Sequence, residues 1–358
     1  MIRCCGRLAP SPTGLLHLGN AWAFLLAWLA ARAQGGRLLL RLEDIDPQRS
    51  RPELAAAALE DLRWLGLDWD AGPDLGGPHA PYVQSLRTDL YAAALARLEA
   101  QGLTYPCFCS RRELRQLAAA PHVDDRGAPY PGTCRRLSAA QRQALLAQGR
   151  HAALRLRCPP ESISFVDAVQ GPQCFTLADC GGDFALRRSD GVVAYQLAAA
   201  LDDGLMGVTQ VVRGRDILPS TPRQIVLLRL LRLPVPAYAH VPLLLDAAGE
   251  RLAKRHHSLA LRTLRERGVD ARLVVGLLGR LAGCNPSGAA LRPQDLLADF
   301  SLAKLPRADI HLEAGGRTPG GMNVCWCGLW MFGAVVACRA PEVSRQCRGR
   351  ASPGADYL

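Results

Sequence analysis

The sequence predicts an α/β fold built on a parallel sheet with crossover helices, and three observations carry that prediction. Short apolar strands alternate with helical patterns through 1–103 and again through 184–250. A Pro/Gly-rich turn, Arg7-Leu8-Ala9-Pro10-Ser11-Pro12-Thr13-Gly14, leads through His17, Gly19 and Asn20 into an apolar stretch, Ala21 to Ala31, long enough for a helix. A strand end, a tight turn and a helix in that order make a nucleotide pocket. Glycine lets the backbone approach a ligand, and a helix N-terminus presents free N–H groups and a positive dipole end to phosphate. Finally, Glu43, Tyr195 and Arg213 fall where strands are expected to end, which is where ligands bind in open parallel sheets.

The elements follow in order. Leu38 to Leu42 is a short apolar strand that runs into Glu43-Asp44-Ile45-Asp46, with Pro47 as its stop. Arg51 to Leu67 has helical apolar spacing, Asp68 to Pro81 is a Gly/Pro/Asp loop, and Ser85 to Gln101 is a second amphipathic helix. From Thr104 to about Cys134 cysteines, prolines and charges crowd together. Ser138 to Gln148 is a helix with Ser138 as N-cap, and Ala152 to Leu156 and Ile163 to Val169 are strands. The span 104–183 is therefore expected to be an insertion between two halves of the nucleotide-binding domain, 1–103 and 184–250. Phe184 to Ala199 and Gly207 to Val212 return to strand–helix patterns, Thr221 to Leu231 is a helix, and Val241 to Leu245 is a strand before a turn at Asp246 to Gly249. Ser258 to Leu305 is expected to be mostly helical. From about Ala314 the chain turns Gly-, Arg- and Cys-rich, with Trp326, Trp330 and Phe332 close together, and this tail (314–358) is expected to be disordered.

Composition narrows the functional classes. The 358 residues allow two or three domains and a sizeable core. A formal net charge of +11 favours a polyanionic partner, nucleic acid above all. That charge is almost entirely arginine, since Lys254 and Lys304 are the two lysines. Thirteen cysteines, odd in number and irregularly spaced in a chain this large, do not make a disulfide framework. No apolar run precedes Arg7, so no signal peptide is expected. The apolar run Cys325 to Cys338 is shorter than the roughly 20 residues that span a bilayer. The expectation is a reduced, cytoplasmic protein with no membrane partner.

Two further motifs carry chemistry. Glu250-Arg251-Leu252-Ala253-Lys254-Arg255-His256 puts a scarce lysine on a loop after the nucleotide half, where an ammonium can stabilise a transferring phosphoryl group and departing pyrophosphate. Cys107-Phe108-Cys109 and Tyr130-Pro131-Gly132-Thr133-Cys134 offer three thiolates, and a fourth ligand would close a tetrahedral metal site. Tyr130 is the candidate fourth ligand, and His122, chemically the commoner, is the alternative.

The Pro-Ser-Pro-Thr-Gly run with His17 and Gly19 resembles the first signature of class I aminoacyl-tRNA synthetases, in the form found in the glutamyl group. The Lys254 segment resembles their second signature, a lysine–x–serine–lysine–serine loop. Here Arg251, Ala253 and Arg255 replace the first lysine and the two serines, and Lys254 matches the ATP-contacting lysine. The resemblance implies a Rossmann-like parallel sheet with a zinc-bearing insertion and a C-terminal helical region that includes the lysine loop (251–313). It implies ATP binding by His17, Gly19, Asn20 and Lys254, with His17 and Lys254 catalytic and Mg²⁺ accompanying ATP. It also implies an L-glutamate site made by Arg7, Leu8, Ala9, Pro10, Ser11, Glu43, Tyr195 and Arg213. Arg7 and Arg213 would meet carboxylate, Glu43 the α-amino group, and Tyr195 and Ser11 would complete the hydrogen bonding.

The cysteine set resembles the zinc site of the glutamyl-queuosine tRNA(Asp) synthetase family, which implies one structural Zn²⁺ on Cys107, Cys109, Tyr130 and Cys134. With no recognisable anticodon-binding domain after residue 313, the resemblance implies transfer of glutamate to queuosine in the anticodon loop of tRNA(Asp). A truncated glutamyl-tRNA synthetase charging a tRNA 3′ end is one alternative, and a non-catalytic RNA-binding paralogue is another.

Overall fold

The computed structural model describes residues 3–110, 112–114, 130–246, 248–252 and 260–312. Lys254, His122 and the tail from Ala314 lie outside the described residues. In chain order the elements are β1 Cys5–Leu8, α1 Leu18–Arg32, β2 Arg37–Leu40, α2 Pro52–Trp64, α3 Thr88–Ala100, β3 Thr104–Cys107, α4 Ala139–Ala147, β4 Ala153–Leu156, β5 Ser162–Asp167, β6 Gly171–Thr176, β7 Ala185–Arg187, α5 Tyr195–Leu205, β8 Gln210–Gly214, α6 Thr221–Leu230, β9 Ala237–Val241, β10 Leu244–Asp246, α7 Leu261–Glu266, α8 Ala271–Leu281 and β11 Ile310–Leu312.

The expected parallel pairing is present in both halves. β1 and β2 pair in parallel with α1 as crossover, and β8 and β9 pair in parallel with α6 as crossover. The halves meet at β1, where the Thr209 N–H donates to the Cys5 carbonyl at 2.9 Å. From β1 the chain thus goes to β2 on one side, while β8 lies on the other. This is a topological switch point, and it opens a crevice at the carboxyl ends of β1 and β8. A core of Leu, Val, Ile and Tyr side chains from α3, α5, α6 and the sheet lies beneath it.

Helix ends follow local chemistry. Ser138 caps α4 in a capping box with Gln141. Arg51 is extended because Pro52 follows it, which delays α2 by one residue relative to the sequence pattern. Several expectations need correction. Ser258 to Leu305 is not mostly helical: past α8 it contains only two 3₁₀ turns among its described residues, because Gly283, Pro286, Gly288 and Pro293 interrupt the chain. Val241 to Leu245 is two short strands split at Pro242. Tyr195 does not end a strand but opens α5. Within 104–183, β3 and β4 form an antiparallel sheet with β7, whereas β5 pairs in parallel with β9 and extends the main sheet. No helix among the described residues is long and apolar enough to cross a membrane.

One buried carboxylate at the α2–α7 contact makes a measurable prediction. Asp61 is fully buried with neither oxygen hydrogen-bonded, and Arg265 Nε is 3.5 Å away. Burial raises its pKa to about 6, with Arg265 opposing. A raised carboxyl pKa favours the fold below the unfolded value near 3.8, and that advantage is lost as pH rises through about 6. Asp61→Asn is therefore expected to melt a few degrees above the wild type at pH 7–8, and at the same temperature near pH 4. An equal gain at both pH values would refute the charge explanation.

Candidate active site

The crevice is a cleft of about 480 Å³ lined by Arg7, Ala9, Ser11, His17, Gly19, Asn20, Glu43, Tyr195 and Arg213, together with Trp22, Phe24, Asp216, Ile217, Arg251 and Leu252. Most residues expected to bind glutamate or ATP thus converge on one cavity. Leu8 and Pro10 do not line it and are buried. They act through their backbone: the Leu8 carbonyl accepts from the Arg41 N–H at 2.9 Å, and the Pro10 carbonyl accepts from the Glu43 N–H at 3.0 Å. These bonds hold the turn after β1 against the chain leaving β2, which fixes where Glu43 emerges.

His17 is the N-cap of α1. Its Nδ1 accepts the Gly19 N–H at 3.1 Å, while Asn20 Oδ1 accepts the His17 N–H at 3.0 Å. A Cβ on residue 19 would lie 3.0 Å from the imidazole ring, so the glycine in His-x-Gly makes room for the cap itself. The expected free N–H groups are therefore partly spent, with Gly19 N–H on the imidazole and the Asn20 and Ala21 N–H groups on the His17 carbonyl. Burial lowers the His17 pKa. The ring is thus neutral, with Nδ1 as acceptor and Nε2–H left as its donor. Leu261 N–H bonds the Leu16 carbonyl at 2.8 Å, and Arg251 and Leu252 line the cleft. Both described ends of the segment that contains Lys254 therefore stand at this cavity.

A buried charge ladder supports the acidic side of the site. Arg41 is completely buried, with Nη1 on Asp203 at 2.8 Å, Nη2 on Glu43 at 3.0 Å and Nε 3.8 Å from Asp202. Asp202 also takes Arg87 Nε at 2.7 Å and the Tyr91 hydroxyl at 2.8 Å. Arg7 donates to the Val212 carbonyl at 3.0 Å and lies 3.6 Å from Asp203. Burial raises the Glu43 pKa, and Arg41 and Arg7 hold it down. Arg41, Arg87, Asp202 and Asp203 were not among the sequence candidates. Two successive aspartates inside the otherwise apolar run Leu197 to Leu205 were the signal available for them.

Arg213 differs from these arginines. It is 5% exposed and makes no ion pair among the described residues. Its Nε donates to His240 Nε2 at 3.0 Å and its Nη2 to Thr221 Oγ1 at 2.8 Å, while Nη1 has no partner. A buried guanidinium without a carboxylate is costly unless an anion joins it.

In the antiparallel insertion, the sulfurs of Cys107, Cys109 and Cys134 all lie within 4.8 Å of one another, with 3.6 Å between Cys109 and Cys134. The Tyr130 hydroxyl oxygen is 3.5 Å from Cys107 Sγ and 4.0 Å from Cys109 Sγ, and it accepts the Cys134 N–H at 2.8 Å. Tetrahedral Zn–S bonds of ~2.3 Å place sulfurs ~3.8 Å apart. Three sulfurs and one oxygen at these separations fit a closed four-ligand site. Such a donor set, with no water position, suits structure rather than catalysis.

The chain matches the family model described as tRNA synthetases class I (E and Q), catalytic domain, over residues 4–291. It is 60% identical over 306 residues to a protein of Nitratidesulfovibrio vulgaris named glutamyl-Q tRNA(Asp) synthetase, covering 86% of this chain and 94% of that one. It is 47% identical over 308 residues to glutamate–tRNA ligase 2 of Nitrosococcus oceani, covering 86% of this chain and 65% of that one. The fold resembles the crystal structure of the glutamate-tRNA synthetase from Elizabethkingia anophelis, with a TM-score of 0.75 at 26% identity over 87% of this chain and 68% of that one. A family match over most of the chain, with close relatives named as synthetases, makes the chain an enzyme that belongs to the class I tRNA synthetases of the E and Q catalytic-domain family.

Proposed function

We propose that the protein activates L-glutamate with ATP and transfers the glutamyl group to the cyclopentenediol of queuosine in the anticodon loop of tRNA(Asp). The observation that carries glutamate is Arg213, a buried guanidinium on the cleft with an unpartnered Nη1 and, among the described residues, no carboxylate partner. Arg213 and Arg7 take the substrate carboxylates, and Glu43, paired with Arg41 at 3.0 Å, takes the ammonium. Ser11 and Tyr195 add hydroxyl groups at the same cleft. Identity of 60% across nearly the whole of a glutamyl-Q tRNA(Asp) synthetase supports the queuosine acceptor over a tRNA 3′ end.

The reaction has two displacements. A substrate carboxylate oxygen bonds to the α-phosphorus of ATP, the bond from that phosphorus to the bridging oxygen breaks, and pyrophosphate leaves. A queuosine hydroxyl then attacks the acyl carbon, its proton is lost, and AMP leaves. The neutral imidazole of His17 donates through Nε2–H to a phosphate oxygen, and Lys254 supplies positive charge to the departing pyrophosphate. Mg²⁺ enters with ATP as its counter-ion. Cys107, Cys109, Tyr130 and Cys134 hold one Zn²⁺, which when bound cross-links the insertion.

The deciding test is acceptor choice. Glutamylation is expected with queuosine-containing tRNA(Asp) and not with the same transcript carrying guanosine, and the product should survive removal of the tRNA 3′ end. Loss of label with the terminal adenosine would establish the 3′-charging alternative. Lys254→Ala is expected to slow glutamate-dependent ATP–pyrophosphate exchange by about 10²-fold. A wild-type exchange rate in that variant would remove Lys254 from the mechanism.

A further inference from the structure

We infer that Asp167 and His240 are positioning residues that set the orientation of Arg213, so that only its Nη1 end is left for a substrate carboxylate. The inference deepens the glutamate reading of this cleft and rests on it. Asp167 and His240 are both essentially unexposed and lie beneath the cleft on β5 and β9. Asp167 Oδ1 accepts the backbone N–H groups of Val169, Gln170 and His240, which fixes the carboxylate at the end of β5. Its Oδ2 lies 2.6 Å from His240 Nδ1. A carboxylate can only accept there, so Nδ1 carries the ring proton and Nε2 is left as an acceptor.

That tautomer is what Arg213 requires. A guanidinium has no acceptor, so its Nε–H, 3.0 Å from His240 Nε2, needs a lone pair on that nitrogen. Thr221 Oγ1 takes Nη2 at 2.8 Å and stands 3.0 Å from the same Nε2. With Nε and Nη2 both held by the protein, rotation of the guanidinium would break two hydrogen bonds to a charged group. The remaining Nη1 is therefore aimed rather than free to swing. Burial and Arg213 together keep the His240 pKa down, near 4, despite Asp167, so the ring stays neutral at working pH. A neutral ring also adds no second positive charge beside Arg213.

The test separates geometry from general damage. With asparagine at 167, Oδ1 keeps its backbone partners and an NH₂ group faces Nδ1. The ring must then carry its proton on Nε2, where it meets Arg213 Nε–H donor to donor. Asp167→Asn is expected to raise the KM for glutamate about tenfold or more, with the KM for ATP little changed and the melting temperature lowered by the buried donor–donor contact. His240→Gln can present an amide oxygen at the old Nε2 position and should stay within about threefold of wild type, whereas His240→Asn should resemble Asp167→Asn. Adding Asp167→Asn to His240→Gln should cost little more, since the path runs through the ring. Equal rises in both KM values, or an unchanged glutamate KM in Asp167→Asn, would overturn the inference. ¹⁵N NMR of the imidazoles gives a readout independent of activity: His240 should be protonated on Nδ1 in the wild type and on Nε2 in Asp167→Asn. A wild-type Nε2–H tautomer refutes the inference even if glutamate is activated. The Nδ1–H tautomer in an enzyme that ignores glutamate would instead refute the substrate reading alone.

Discussion

Arg41→Met is expected to cost about 3–5 kcal/mol of folding stability, as expected when one partner of a buried ion network is removed, and to abolish glutamate activation in whatever remains folded. Arg41 has no exposed surface and touches Asp203, Glu43 and Asp202 at once. Methionine fills similar volume, so packing survives and the electrostatic loss stands alone. Asp202 keeps Arg87, but Asp203 keeps only Arg7 at 3.6 Å, and Glu43 loses its closest cation. Burial already raises the Glu43 pKa while Arg41 restrains it. Without that restraint the carboxyl protonates at higher pH and can no longer pair with an ammonium. The acid limb of the exchange profile should therefore move upward in pH in this variant. Urea unfolding measures the first effect and ATP–pyrophosphate exchange the second. Asp203→Asn placed in the Arg41→Met background should recover part of the lost stability. No recovery, or a wild-type urea midpoint in the single variant, would show that the ladder does not work as a charge network.

This ladder also marks the boundary of what the sequence could reveal. Arg7, Ser11, His17, Glu43, Tyr195 and Arg213 were legible as an ordered set that resembles the glutamate and nucleotide pocket of the glutamyl-tRNA synthetase group; each alone would read as a surface charge or a core residue. Their supports were not. Arg41 reads as an ordinary strand arginine beside Glu43, and nothing local says that it will meet Asp203 across 162 residues. Asp167 and His240 look like solvated residues in strands of no special pattern until β5 and β9 pair. The parallel pairing around β1 followed from strand–helix alternation. The placement of β5 did not, because its long antiparallel pairing with β6 hides the single parallel contact that joins it to β9. The expected helices after α8 failed for a plainer reason: Gly283, Pro286, Gly288 and Pro293 break the chain before a helix can propagate among the described residues.

Cys109→Ser is expected to abolish the proposed zinc binding and to loosen the region around the cysteine cluster. The buried cluster of this region is small, with Tyr105, Cys107, Phe108 and Cys134 at its centre. A metal cross-link would add directly to the stability of this cluster, because structural zinc contributes its binding free energy to folding. Purified wild type should contain about one Zn²⁺ per chain, and a strong chelator should reproduce the effect of Cys109→Ser. The readout is proteolytic cleavage confined to 104–156, with the parallel core, β5 included, intact. Tyr130→Phe tests the fourth ligand. Its hydroxyl oxygen accepts the Cys134 N–H and faces Cys107 and Cys109, a position that an anionic oxygen can occupy while bound to a metal. Removing it should weaken zinc affinity substantially while His122→Ala leaves affinity unchanged. The reverse pattern would move the fourth ligand to His122, and metal-free wild type prepared without chelator would eliminate the site.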